Sequence, residues 1–354
     1  MLRFAAGAIA PSTRRSYAAA VRLYRAWCTE RGRDPSPAGM SAQSCAEWFA
    51  ALGVAGAHRG STLATYRSAL STWRSEELLS DAPNPLLSTA VTRVLKGAQR
   101  ELRPQEEAQR AAAAPTLVLS AQDLHNCGRF AGVGGGAQPR SLMLWAAANL
   151  GVYGLLRPNE LLGSPAHPER VPTPAMVVFY AREDSEEVRA LCPLGSVWGA
   201  TPVPDRFTLA LGPTKADQAG RNAPHGIAAA PAVRALWRWM HVRRAGGART
   251  QEPLFSLAGE APLSLSVLGA AITGWCQAAG IEPARFTGKS LRRSGASLLT
   301  ASGASLADLM AQGRWRSAEM PALYSDAGSK RARALRASRA MAPSALPGGV
   351  PFSR

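Results

Sequence analysis

Side chains able to hold or attack a phosphodiester are spread through the second half of the chain. Arg157 closes an apolar run in Tyr153-Gly154-Leu155-Leu156-Arg157-Pro158-Asn159-Glu160, and Lys215 stands in the turn-like Gly212-Pro213-Thr214-Lys215-Ala216-Asp217-Gln218-Ala219-Gly220. Lys289 and Arg292 fall at i and i+3 beside Arg293, and Trp315 and Tyr324 follow. Arginine forks grip phosphate oxygens, a lysine can release a proton, and a tyrosine hydroxyl can attack phosphorus; a metal-free phosphoryl transfer needs all three. Taken one at a time, each residue has an ordinary explanation. Arg157 would pair with Glu160 one turn on, Lys215 would be solvated, Lys289 and Arg292 would line a wet helical face, and Trp315 and Tyr324 would be core aromatics.

Other chemistries find little support. Gly288-Lys289-Ser290 imitates the end of a phosphate-binding P-loop, but Pro283 stands where its first glycine is required. Gly132 to Ala137 fits G-x-G-x-x-A, yet no apolar strand precedes it and Pro139 follows, so a flexible loop is expected. The acidic run Glu183-Asp184-Ser185-Glu186-Glu187 reads as a solvated loop between strands. Five scattered cysteines (Cys28, Cys45, Cys127, Cys192, Cys276) without C-x-x-C read as reduced and buried, and the five histidines form no ligand cluster, so neither metal nor cofactor is expected.

In order, the boxes resemble the catalytic domain of the tyrosine recombinases (phage-integrase family): Arg, a hairpin Lys, His-x-x-Arg, a His or Trp, then the nucleophilic Tyr. Gly-Leu-Leu-Arg157-Pro-Asn-Glu160 resembles the first arginine box, and Thr214-Lys215-Ala216-Asp217-Gln218 the β-hairpin lysine. Lys289-Ser-Leu-Arg292-Arg-Ser-Gly-Ala resembles the His-x-x-Arg box and Gly313-Arg-Trp315-Arg-Ser the His/Trp box, with Tyr324 nine positions after Trp315. Ser61 to Tyr66 and Val94 to Gly97 resemble the family's core-binding domain, so the likeness spans about residues 12–326. The Leu-Leu-Arg-Pro and Gly-Arg-Trp-Arg-Ser wording is similar to recombinases of eukaryotic mobile elements, the Crypton-like type.

The resemblance implies a DNA strand transferase acting through a covalent 3′-phosphotyrosine. Tyr324 would be the nucleophile, because a phenoxide leaves readily and makes the phosphotyrosine bond reversible. Arg157 and Arg292 would offer forked donors to the non-bridging oxygens, and Lys215 would protonate the departing 5′ oxygen. Trp315 would donate its indole N–H to a phosphate oxygen. One position departs from the pattern: the family's histidine is Lys289 here, and a lysine is a poor base at neutral pH unless its pKa is strongly lowered. The rivals implied are a type IB topoisomerase and a non-catalytic DNA-binding protein derived from a recombinase.

Helical periodicity supplies the elements that must carry these residues. In the first hundred residues, Ser12 is a possible cap for a helix with Tyr17, Val21, Tyr24 and Cys28 on one stripe. Ser41 or Ser44 can cap a segment carrying Trp48, Phe49 and Leu52, and Ser61 opens a third with Leu63, Tyr66, Leu70 and Trp73. Asn84-Pro85 precedes a fourth carrying Val91 to Ala98, and the proline-flanked stretch from Glu101 to Pro115 reads as a linker. Beyond it, helices are expected after Ser120 and Pro139, around Val233 to Met240, from Leu265 to Ala279, and from Leu291 to Leu299. β-Branched and aromatic clusters between Val171 and Leu211 predict a small antiparallel sheet. Pro321 places Tyr324 in a helix's first turn or an extended segment. The expected fold is mainly α with a small antiparallel β-sheet, an α+β catalytic domain behind a helical N-terminal core-binding domain. Its domains are 1–100, a linker at 101–116, a catalytic domain at 117–327 and a basic tail at 328–354.

The 354 residues carry 41 Lys+Arg against 24 Asp+Glu, a formal charge of +17, which favours a polyanionic partner. Both halves are basic, residues 1–110 at +6 and residues 111–354 at +11, so two positive domains could close around double-stranded DNA. Arg14, Arg15, Arg67 and Arg74 are the expected phosphate contacts of the N-terminal helices. No apolar run approaches the roughly 20 residues of a bilayer span, so an intracellular, DNA-associated protein of nucleus or nucleoid is expected, with no membrane partner and with self-association on DNA as a synapse.

Overall fold

The computed structural model describes residues 11–78, 82–163, 170–183, 186–190, 204–212, 224–282 and 284–322. The chain forms two units, Met1–Ala113 and Ala114–Arg354.

The first unit is helical: α1 (Pro11–Glu30), α2 (Ala42–Ala55), α3 (Gly60–Leu78) and α4 (Thr89–Ala112). Ser41 and Ser44 cap α2 reciprocally, and Ser88 caps α4. Ser12 lies inside α1, so it is not a cap there. Tyr24, Trp48, Phe49, Leu63, Leu70 and Leu86 are fully enclosed, with Tyr24 edge-on to Trp48 at 5.3 Å. The expected linker is corrected for most of its length. Residues 101–112 continue α4 through Pro104, because Leu102 is buried in the core and Glu106 accepts a hydrogen bond from the Gly60 N–H at 2.6 Å. Those contacts outweigh the single ladder bond that a proline removes.

In the second unit, α5 (Ala121–Phe130) is capped by Ser120 and Asp123, and α6 (Pro139–Tyr153) starts at its proline. Residues Leu142 to Val152 of α6 are buried almost without a break, as a helix apolar on all sides must be. A single turn, α7 (Pro158–Leu161), follows. Four antiparallel strands come next: β1 (Val177–Glu183), β2 (Glu186–Ala190), β3 (Arg206–Leu209) and β4 (His225–Ile227), in the order β2-β1-β3-β4. Part of the acidic run is strand rather than loop: Glu183 ends β1 and Glu186 begins β2, with Glu183 paired to Glu186 and Arg182 to Glu187. Val177, Phe179 and Ala181 alternate inward; Phe179 lies opposite Phe207 and packs edge-on to Trp237 at 4.9 Å.

Trp237 belongs to α8 (Ala230–Ala245), and α9 (Leu265–Ala278), α10 (Ser290–Ala301) and α11 (Leu306–Gly313) follow it. Helix α11 is absent from the periodicity reading, although Ser305 and Asp308 form its capping box. The glycine-rich loop is tied down: Arg238 donates to the Val133 and Gly134 carbonyls. Cys28, Cys45, Cys127 and Cys276 are free and buried, and the last two meet at 3.8 Å. Among the described residues no helix is long and apolar enough to cross a membrane.

Candidate active site

The site is organised on the C-terminal end of α6. A helix end leaves carbonyls without intrahelical partners, and here three successive ones are taken by side chains from three other elements. Tyr153 O accepts from Gln312 of α11 at 3.5 Å, and Gly154 O from His225 of β4 at 2.9 Å. Leu155 O accepts from Nη1 of Arg292 in α10, whose Nη2 donates to Gly313 O. Leu155 itself turns the chain at φ 47°, a left-handed conformation, and is buried against Ala296 and Leu309. Arg157 then leads into α7.

Two glycines permit this assembly. A Cβ on Gly295 would collide with Val152 O where α10 crosses α6, and one on Gly313 would collide with the Trp315 indole, which folds back over it. Trp315 in turn covers Arg292, whose guanidinium carbon sits 4.2 Å from the ring centroid.

Glu160 is the electrostatic centre. Its Oε1 accepts from Arg157 Nη1 at 2.5 Å, while Oε2 accepts the Arg157 N–H at 2.8 Å and Arg314 Nη2 at 2.7 Å. Arg292 Nη1 lies 4.0 Å from Oε2. Burial pushes the Glu160 carboxyl up, but Arg314, the Arg157 N–H and the Arg157 guanidinium outweigh it and hold the group below its ordinary value. His225 is also lowered, to about 4, which for a histidine favours the neutral ring; burial is the chief cause and Arg314 the next. Its Nε2 faces a carbonyl, which only accepts, so the neutral ring carries its proton there.

Arg157, Arg292 and Trp315 are thus brought together around Glu160. Arg157 is partly open, its side chain 28% exposed, whereas Arg292 is enclosed with both terminal nitrogens on main-chain carbonyls. Its fork is committed to holding α6 and α11 together rather than displayed to a ligand. Lys289 is exposed at the N-cap of α10, and the neighbouring Gly288 packs so closely on Pro158 that a Cβ would stand 3.0 Å from its ring. Lys215 and Tyr324 lie outside the described residues; residues 319–322 form a helical turn that includes Pro321.

In the first unit, Arg14 is paired with Glu76 at 3.6 Å, Arg15 is exposed, Arg67 is half-buried and Arg74 reaches the Ala82 carbonyl. Sequence reasoning missed Arg314, His225 and Gln312, and saw in Glu160 only a partner for Arg157. No local motif marks them, because their roles exist only once four elements meet. What the arrangement offers chemically is three guanidiniums against one carboxylate, with an exposed lysine nearby: a surplus of positive charge suited to an anion.

No family model matches the sequence, and no curated protein matches it. Solved recombinases share its architecture. XerH site-specific recombinase bound to palindromic difH in a post-cleavage complex superposes with TM-score 0.55 at 14% identity, over 91% of this chain and 78% of that one. The Tn1549 transposon integrase in complex with transposon right end DNA gives TM-score 0.51 at 15% identity, over 94% and 95%. The mostly helical chain with its small antiparallel sheet has the tyrosine-recombinase fold.

Proposed function

We propose that this chain is a site-specific DNA strand transferase that cuts and rejoins duplex DNA through a covalent 3′-phosphotyrosine on Tyr324. The observation that carries this reading is the convergence of Arg157, Arg292 and Arg314 on Glu160, under Trp315 and beside the Lys289 turn. Preorganised positive charge of this kind stabilises a pentacovalent phosphate without reorganisation during the reaction. Arg157 is the residue placed to bind a non-bridging oxygen, and Lys215, on the segment joining β3 to β4, is assigned to protonate the leaving 5′ oxygen. Lys289 adds charge and a hydrogen bond at the phosphate rather than acting as base. DNA as partner is supported by the recombinase fold, by neighbours solved on DNA, and by the +17 charge. The reading includes self-association on paired sites and integration or excision of a mobile element. The test is a paired-site recombination assay run beside single-site relaxation of supercoiled DNA. Joint molecules from two sites support the recombinase, and relaxation without them assigns the chain to the topoisomerases.

A second reading is favoured by the enclosed Arg292 and by lysine at position 289: a recombinase-derived protein that binds DNA without cutting it. Duplex binding with no covalent adduct on a nicked suicide substrate would select it.

A further inference from the structure

Arg314 closes α11 with φ 53° and ψ 46°, a left-handed C-cap at which glycine is the usual residue. A cation suits a helix C-terminus, but that preference asks neither for burial nor for a left-handed backbone, and a non-glycine residue persists in that conformation only where its surroundings over-determine it. The surroundings are Glu160. Arg314 Nη2 holds Oε2 at 2.7 Å from within the protein, and its side chain is 14% exposed. Its Nε and Nη1 are buried without a hydrogen-bond partner among the described residues, so the carboxylate is what holds it there. Arg157 grips the other oxygen from the open side.

A buried carboxylate with one counter-ion keeps it, because losing the pair leaves an uncompensated buried charge. Arg292, with Nη1 4.0 Å away and both terminal nitrogens spent on the Leu155 and Gly313 carbonyls, makes no hydrogen bond to this carboxylate, so Arg314 is its buried hydrogen-bonded counter-ion. With Arg314 in place, the outer arginine can leave for another anion at much smaller cost. We propose that Arg314 is a positioning residue that neutralises Glu160 from the buried side and so frees Arg157 to engage a DNA phosphate. The inference rests on the phosphodiester reading of the site. It assigns Arg314 an action through Glu160 and Arg157, not a contact with the substrate.

The test uses the full chain on a fixed duplex. The slope of log affinity against log salt falls by about 0.9 for each phosphate that the protein no longer neutralises, so Arg157→Ala sets the reference by lowering the slope by about one. Arg314→Gly, which suits the left-handed backbone, is expected to lower it by the same amount, and adding Glu160→Gln is expected to restore it, since the neutral amide no longer holds Arg157. Single-turnover cleavage should follow the same order, at least tenfold slower in Arg314→Gly and recovered in the double variant. Arg314→Gln keeps donors and packing without charge and should behave like Arg314→Gly even if the latter melts early. A wild-type slope in both Arg314 variants, or a double variant no better than Arg314→Gly, overturns the proposal. An Arg157→Ala slope equal to wild type overturns the phosphate-binding reading beneath it.

Discussion

Acidification should weaken this fold through His225. His225 is 8% exposed, its Nε2–H is spent on Gly154 O, and Arg314 is among the charges that oppose a second proton on the ring. The folded pKa is lowered from 6.5 to about 4, so between these values the unfolded chain takes up a proton that the native state refuses. Stability from this residue is therefore complete above about pH 6.5 and is lost as pH falls towards 4. At 1.36 kcal/mol per pKa unit the full loss is roughly 3 kcal/mol, of which roughly 2 kcal/mol is gone at pH 5. For a unit of this size that is a fall of about 4–8 °C in Tm. His225→Gln places an amide N–H near the Nε2 position and cannot titrate. Thermal melts of wild type and variant at pH 7.5 and 5.0, at constant ionic strength, isolate the term because every other group titrates in both. The wild type should lose about 4–8 °C more than the variant between the two pH values. Equal losses would refute the buried neutral histidine.

Gly295→Ala drives a methyl into Val152 O at the α6–α10 crossing and should cost about 2–3 kcal/mol in urea denaturation; a neutral result would mean that the two helices have room to spare there. Lys215→Ala should cleave slowly on ordinary DNA yet recover much of the rate on a substrate with a bridging 5′-sulfur, which needs little protonation; equal defects on both would assign Lys215 to phosphate binding. Duplex affinity should fall steeply with salt, given +17 over the chain, and a flat titration from low to physiological salt would contradict nucleic-acid binding.

Much of this architecture is legible in the residues because local rules dominate it. Capping serines mark the starts of α2 and α5, Asn84-Pro85 announces the segment before α4, the all-apolar run marks α6, and β-branched and aromatic clusters mark β1 and β3. The stretch from 101 to 112 is misread as a linker because Pro104 weighs heavily in a local reading, while the burial of Leu102 and the Glu106 bond to Gly60 are tertiary facts. At the site, the fold brings Arg157, Arg292 and Trp315 close together, and all three are singled out by type and order. Their division of labour is not: which arginine faces outward depends on carbonyls at the end of α6 and on a glutamate shared by several cations. Arg314 and His225 lie 154 and 65 positions from Glu160, beyond the reach of any periodicity.

The central claim is that Tyr324 attacks the scissile phosphate. A nicked suicide duplex lets the product strand diffuse away and traps the enzyme on its DNA, and mass spectrometry of the digested adduct identifies the linked residue. The account predicts a 3′-phosphodiester to Tyr324, abolished in Tyr324→Phe with duplex affinity unchanged, because only a hydroxyl is removed. An adduct mapped to any other residue, or a wild-type protein that binds the duplex and carries no DNA-linked peptide, would contradict it.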